Sequence, residues 1–228
     1  MPAIVIGSKI FREMFGADDV RRLFSDEHMI QLYLDVEAAL ARAQAQIGLI
    51  PGEAASAITR AAKVERVDWD RLGARTEIVG YPILPLVEQL VEWTDGGLGQ
   101  WCHWGATTQD IMDTADVLQM RAALDIVSRD LDAVAEALAK LAREHVATVM
   151  PGRTHLQHAL PITFGYKAGT WLSAIDRHRQ RLAELRHRLE VVSFSGASGT
   201  LASLGEEMGL ATQAALAGEL SLGVPDTT

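Results

Sequence analysis

Apolar residues recur at helical spacing over most of this 228-residue chain, and strand-like alternation is weak throughout. The longest pattern begins at Asp110. Val117, Met120, Leu124, Val127, Leu131, Val134, Leu138 and Leu141 alternate in steps of three and four, a heptad seam that keeps one helix face turned to a partner. A helix from Asp110 to about His145 spans roughly 50 Å at about 1.5 Å per residue and needs neighbours of similar length. A second seam keeps the same alternation: Phe164, Ala168, Trp171, Ile175, His178, Leu182, Leu185, Leu189 and Val192, with arginines on the outer faces. Two antiparallel rods, covering roughly 110–145 and 160–190, are expected.

Upstream the elements are shorter. Ser25, followed by Asp26, Glu27 and His28, reads as a capped helix start. The apolar positions Met29, Leu32, Tyr33, Val36, Ala39, Leu40, Ala43 and Ile47 continue that helix until Gly48 and Pro51 stop it. A shorter alanine-rich helix is expected from about Gly52 to Lys63. Asp68 is placed to start another, and a further helix is expected from Pro85 to Trp93. Residues 1–24 read as irregular, with Gly7 and Gly16 breaking any pattern, and Asp95-Gly96-Gly97 reads as a flexible link. The fold class that follows is all-α: an elongated bundle of long antiparallel helices preceded by a small helical N-terminal domain.

Composition narrows the functional classes. Hydrophobic residues at 48% and charged residues at 22% describe a globular chain with ample core. The net charge of −9 argues against nucleic acid as a partner. The single cysteine, Cys102, excludes an internal disulfide framework, fits a reducing cytoplasm, and reads as a small buried hydrophobe rather than a nucleophile. No apolar run approaches the roughly eighteen residues a membrane span needs, and Met1 to Ile10 lacks the features of a signal peptide.

Three stretches carry candidate chemistry. In the first, Trp101, Cys102, His103 and Trp104 lead through Gly105 to Thr107, Thr108, Gln109 and Asp110 at the start of the long helix. Hydroxyls, free N–H groups and the positive dipole end suit a carboxylate or phosphate there. The same stretch also reads as a plain helix cap in which Thr107 or Thr108 caps and the aromatics pack beneath. In the second, Pro151, Gly152 and Pro161 frame a loop entering a helix and holding Arg153, Thr154, His155, Gln157, His158 and Thr163. Arginine can hold a carboxylate in a fork, threonine can hydrogen-bond one, and histidine can move a proton near pH 7. For His158 a structural role stands beside a chemical one. The third stretch, Ser193 to Gly205, is glycine-rich, and its N–H groups could face an anion. No spacing of His, Cys, Asp or Glu resembles a metal site, and no cofactor is implied.

Together these stretches resemble the fumarase/aspartase superfamily. HWGATTQDIMDTA is similar to its first signature, a His-x-Gly-x-Thr-Ser/Thr-x-Asp pattern, and GRTHLQHALPITFGYK to its second. The likeness runs from about Phe11 to the end of the chain. IPGEAA, VGYPILPLV, LQHALPIT and SGASGTLASLG look most like bacterial 3-carboxy-cis,cis-muconate cycloisomerase and its adenylosuccinate-lyase-like relatives. The His-Asp-Val segment of adenylosuccinate lyases is replaced by Val79-Gly80-Tyr81-Pro82. His155 is kept, as in the C–N and C–O lyases, whereas some bacterial cycloisomerases lack it.

The resemblance implies a small N-terminal helical domain over 1–105, and over 106–228 the first part of the central bundle, the rest of the bundle and the C-terminal domain being absent. It implies a polycarboxylate substrate and addition or β-elimination through a carbanion-like intermediate. Cycloisomerisation is the first expectation, and a C–N elimination releasing fumarate the alternative. Thr107 and Thr108 would bind a substrate carboxylate, His155 would be the acid, and Arg153, Thr154 and Gln157 would shape the pocket. The catalytic serine loop of the family, GSSxMPxKxNP, has no counterpart before Thr228, so the chain alone is expected to be inactive. The parent is expected to be a homotetramer whose sites combine segments of different subunits. Two other classes stay open: bulk structural protein of the kind some animal crystallins represent, and a helical oligomerisation module.

Overall fold

The computed structural model describes Ser8 and residues 10–227. The order of elements is α1 (Asp18–Leu23), α2 (Asp26–Gln46), α3 (Gly52–Ala61), α4 (Trp69–Val79), α5 (Ile83–Trp93), α6 (Thr108–Glu144), β1 (Val149–Thr154), β2 (Gln157–Thr163), α7 (Phe164–Leu189) and α8 (Glu206–Leu220). Contacts gather the chain into two units, Met1–Arg121 with Leu189–Thr228, and Ala122–Arg188. The boundary falls inside α6, and the chain after α7 returns to the first unit.

In the first unit α2 is the central element. Ile30, Tyr33, Leu34, Val36, Ala39, Leu40 and Ala43 are all buried, and α2 packs on α3 and α8. Its start is the one the sequence signals, since the Ser25 side chain accepts a hydrogen bond from the N–H of His28. Asp68 caps α4 in the same way through Arg71 N–H. Two buried or half-buried amides tie the chain between helices. Gln89 accepts from Asp68 N–H at 2.9 Å and donates to Asp68 C=O at 3.2 Å. Gln31 accepts from Val64 N–H at 2.9 Å and donates to Ala62 C=O at 3.3 Å. The core is closed by Ile111, Ala115 and Leu118 of α6 and by Val192, Phe194, Leu201, Leu216 and Ala217 downstream.

In the second unit the antiparallel course of α6 and α7 can be read from two ion pairs. Arg179 Nε lies 2.6 Å from Asp132 Oδ1, and Arg186 Nη2 lies 2.7 Å from Asp125 Oδ1. Seven residues forward on one helix match seven residues back on the other. At 37 residues α6 is roughly 55 Å long at about 1.5 Å per residue.

The structure departs from the sequence reading in four places. The Pro151–Thr163 segment is an antiparallel β-hairpin rather than a loop running into the helix, so the second rod begins at Phe164 rather than near 160. Val192 lies outside that rod, buried in the first unit. Residues 18–23, expected to be irregular, form α1, with Asp18 and Asp19 in its first turn and Arg21 and Arg22 in its last, as the helix dipole favours. Gly7 lies outside the described residues. Finally, Asp95–Trp101 is a tight 3-10 segment in which Gly96 and Gly97 take positive φ, not an open link.

Candidate functional site

The first signature folds as a turn pinned from three sides. His103 stands at φ 58°, Gly105 at φ 73°, and α6 begins at Thr108. A side chain at Gly105 would collide with Leu204, since its Cβ would lie 2.6 Å from that side chain. From below, Gln44 of α2 donates to Trp104 C=O at 2.6 Å, and Trp101 meets Trp104 edge to face at 5.4 Å.

Asp110 decides the geometry. Its carboxylate is 2% exposed and accepts from Thr107 N–H at 2.9 Å, Ser195 N–H at 2.9 Å and Gly196 N–H at 3.0 Å, with Ser195 Oγ at 3.4 Å. The bond to Thr107 N–H is the backward half of a capping box, made here by an acid in the first turn. The bonds to Ser195 and Gly196 fasten the third, glycine-rich stretch to the first. Thr114 adds to this clamp by donating to Ser193 C=O at 2.9 Å and accepting from Ser193 N–H at 3.0 Å. Gln213 of α8 donates to Phe194 C=O at 2.9 Å. The N–H groups that the sequence offered to an external anion are thus directed, at Ser195 and Gly196, onto the protein's own carboxylate.

Neither the Thr107 nor the Thr108 hydroxyl has a hydrogen-bond partner among the described residues, and both residues are half-buried. They stand at the positive end of a long helix with their donors available.

The electrostatics beneath the turn come from Glu37. Its carboxylate is 1% exposed and lies 2.6 Å from His103 Nδ1, while its second oxygen has no hydrogen-bond partner among the described residues. Desolvation of His103, which by itself lowers its pKa, is outweighed by the charge and hydrogen bond of Glu37 and the charge of Asp110, so the imidazole pKa is raised. The buried Glu37 carboxylate thus favours the protonated imidazole. Cys102 goes the other way. Burial, followed by the Glu37 charge and opposed by a contact from Thr94, pushes its thiol up to about 12, and it stays protonated and unreactive.

The second signature occupies the hairpin of the second unit. β1 and β2 pair through Met150–Ile162, Pro151–Pro161, Arg153–His158 and Thr154–Gln157, with a bulge between Pro151 and Arg153. His155 and Leu156 form the tip. Arg153, Thr154, His155, Gln157 and His158 are all exposed, and no hydrogen bond engages their side chains among the described residues. Leu156 stands at φ 56° and is 94% exposed, a strained and unburied apolar side chain. The structure therefore collects Arg153, Thr154, His155 and Gln157 on one hairpin and Thr107 and Thr108 at one helix start, each group within its own unit.

Glu37, Gln44, Thr114 and Gln213 were not singled out from the sequence. A signal existed for the first two. Tyr33, Glu37, Leu40 and Gln44 follow the apolar spacing of α2, so two polar residues occupy core positions and must have partners there.

Residues 13–225 match the lyase family. This chain belongs to that family. The trans-aconitate decarboxylase 1 of Mycosarcoma maydis is 43% identical over 97% of the chain and 45% of its own length. The 3-carboxy-cis,cis-muconate cycloisomerase of Pseudomonas aeruginosa is 45% identical over 97% of the chain and 49% of its own length. The crystal structure of fumarate lyase from Mesorhizobium sp. BNC1 superposes with a TM-score of 0.89 at 59% identity, covering 94% of the chain and 50% of that structure. The chain thus spans about half the length of the relatives it matches.

Proposed function

We propose that this chain is part of a lyase-family enzyme acting on a small unsaturated polycarboxylate, with cycloisomerisation of a carboxymuconate-type acid as its reaction. The observation that carries the reading is the pair of hydroxyls, Thr107 and Thr108, at the positive end of α6, which have no hydrogen-bond partner among the described residues. They bind one substrate carboxylate. His155, at the exposed hairpin tip, moves the proton. In the lactonising direction a substrate carboxylate oxygen bonds to one alkene carbon while the neighbouring carbon gains a proton. In reverse that proton is removed and the carboxylate leaves. Two of the relatives support the substrate class, since trans-aconitate and 3-carboxymuconate are both unsaturated tricarboxylates.

Assembly belongs to the same proposal. Met120 (39% exposed), Val127 (44%), Val134 (44%), Trp171 (48%) and Leu185 (37%) all lie on the two seams, and each leaves apolar surface uncovered. That supports a homo-oligomer, a tetramer in the parent.

The test uses the protein at the full length of its relatives, offered 3-carboxy-cis,cis-muconate, trans-aconitate and adenylosuccinate in turn. His155→Asn should lower turnover of the accepted substrate by about 10²–10⁴-fold with little change in KM. Thr108→Ala should raise KM first. Unchanged turnover in His155→Asn, or no reaction with any of the three acids, refutes the proposal.

A further inference from the structure

A pocket of about 320 Å³ lies between the hairpin and the first turns of α7, its lining including Met150, Arg153, Ile162, Tyr166, Lys167 and Trp171. Two cations and no carboxylate face it, in a chain that carries 30 acidic against 21 basic residues. Arg153 of β1 makes no hydrogen bond or ion pair among the described residues, unlike Arg179 and Arg186 of α7, which reach Asp132 and Asp125. The Lys167 ammonium lies over the Trp171 ring at 5.1 Å and makes no ion pair among the described residues.

Met150 and Arg153 of β1 both line the pocket. The bulge lies on the partner strand: Pro151 pairs with Pro161 and Arg153 with His158, so Ala159 and Leu160 together stand opposite Gly152. Gly152 makes the bulge possible, since a Cβ at that position would lie 2.7 Å from Leu160 C=O. The start of α7 adds its positive dipole end, with Thr163 Oγ1 accepting from Tyr166 N–H at 3.1 Å as the cap. An arginine and a lysine that line one pocket, with no acid among its lining residues, leave the counter-charge to a ligand.

We infer that this pocket is an anion site in which Arg153 and Lys167 together hold a carboxylate of a small polycarboxylate. The polycarboxylate class rests on the functional reading above. The arginine fork takes two carboxylate oxygens, and the ammonium, swinging away from Trp171, takes a third oxygen or a second carboxylate.

Calorimetric titration of the 228-residue chain with tricarballylate, a saturated and unreactive tricarboxylate, tests this. Binding should be saturable, and Arg153→Gln and Lys167→Gln should each weaken it by roughly tenfold or more. Lys140→Gln, which removes an exposed cation from the same unit, should leave affinity unchanged. Lys167→Arg should retain most of the binding, and far-UV circular dichroism checks that every variant is folded. No binding by the parent chain, or equal binding by an Arg153→Gln/Lys167→Gln double variant, overturns the site. Inorganic phosphate binding as tightly as tricarballylate overturns the polycarboxylate assignment. The turnover assays on the longer protein fail or succeed independently of these titrations, so the two readings are separable.

Discussion

Removing the Asp110 carboxylate should loosen two segments at once. Asp110→Ala strands three N–H groups, those of Thr107, Ser195 and Gly196, which now bond to a carboxylate at 2.9–3.0 Å in a site 2% exposed. A hydrogen bond to a charged group is worth about 1.5–3 kcal/mol, so simple addition gives roughly 5–9 kcal/mol. Bonds that share one carboxylate are not additive, and water can reach the half-buried Thr107 and Ser195, so a loss of about 3–5 kcal/mol is expected. At about 2–4 °C per kcal/mol for a chain of this size, the melting temperature should fall by roughly 6–20 °C. Asp110→Asn keeps one acceptor oxygen but sets an NH₂ against an N–H donor, and should cost about 2–3 kcal/mol. Thermal denaturation gives the size of the effect, and amide hydrogen exchange gives its place. Ser195 and Gly196 should lose protection before the amides of α2 do. A melting temperature within a degree of the parent, with those two amides still protected, would show that the clamp is not what holds the glycine-rich stretch.

Two further outcomes follow from the same structure. His103 has a raised pKa, so its pairing with Glu37 contributes stability that is complete below about 6.5, the unfolded value, and is lost as pH rises through the higher folded value. Denaturation midpoints between about pH 6 and 9 should therefore fall with pH in the parent and fall less in His103→Gln, and equal slopes would rule the pair out as the cause. Leu156→Gly should raise the stability of the second unit by about 0.5–1 kcal/mol, since αL backbone costs a leucine more than ordering a glycine there does. A lower denaturation midpoint would mean that the leucine side chain packs in solution.

Local chemistry was legible in the sequence wherever one segment determines its own conformation. Ser25 and Asp68 mark helix starts because a cap is made within three residues. The seams of α6 and α7 mark long antiparallel helices because apolar spacing is a property of one helix face. The first and second signatures, read as residue types in order, point to the lyase family.

Tertiary structure decided what those residues do with one another. The hairpin was hidden because its pairing joins residues across a turn that Pro151, Gly152 and Pro161 make look like a loop. Asp110 looked like one more signature acid until Ser195 and Gly196, 85 and 86 residues further on, were seen to donate to it. Glu37 meets His103 across 66 residues, and that separation makes the buried acid a partner rather than a fault in α2. Spacing along the chain fixes which face a side chain is on, whereas the counter-charge it meets there is set by segments that only folding brings near.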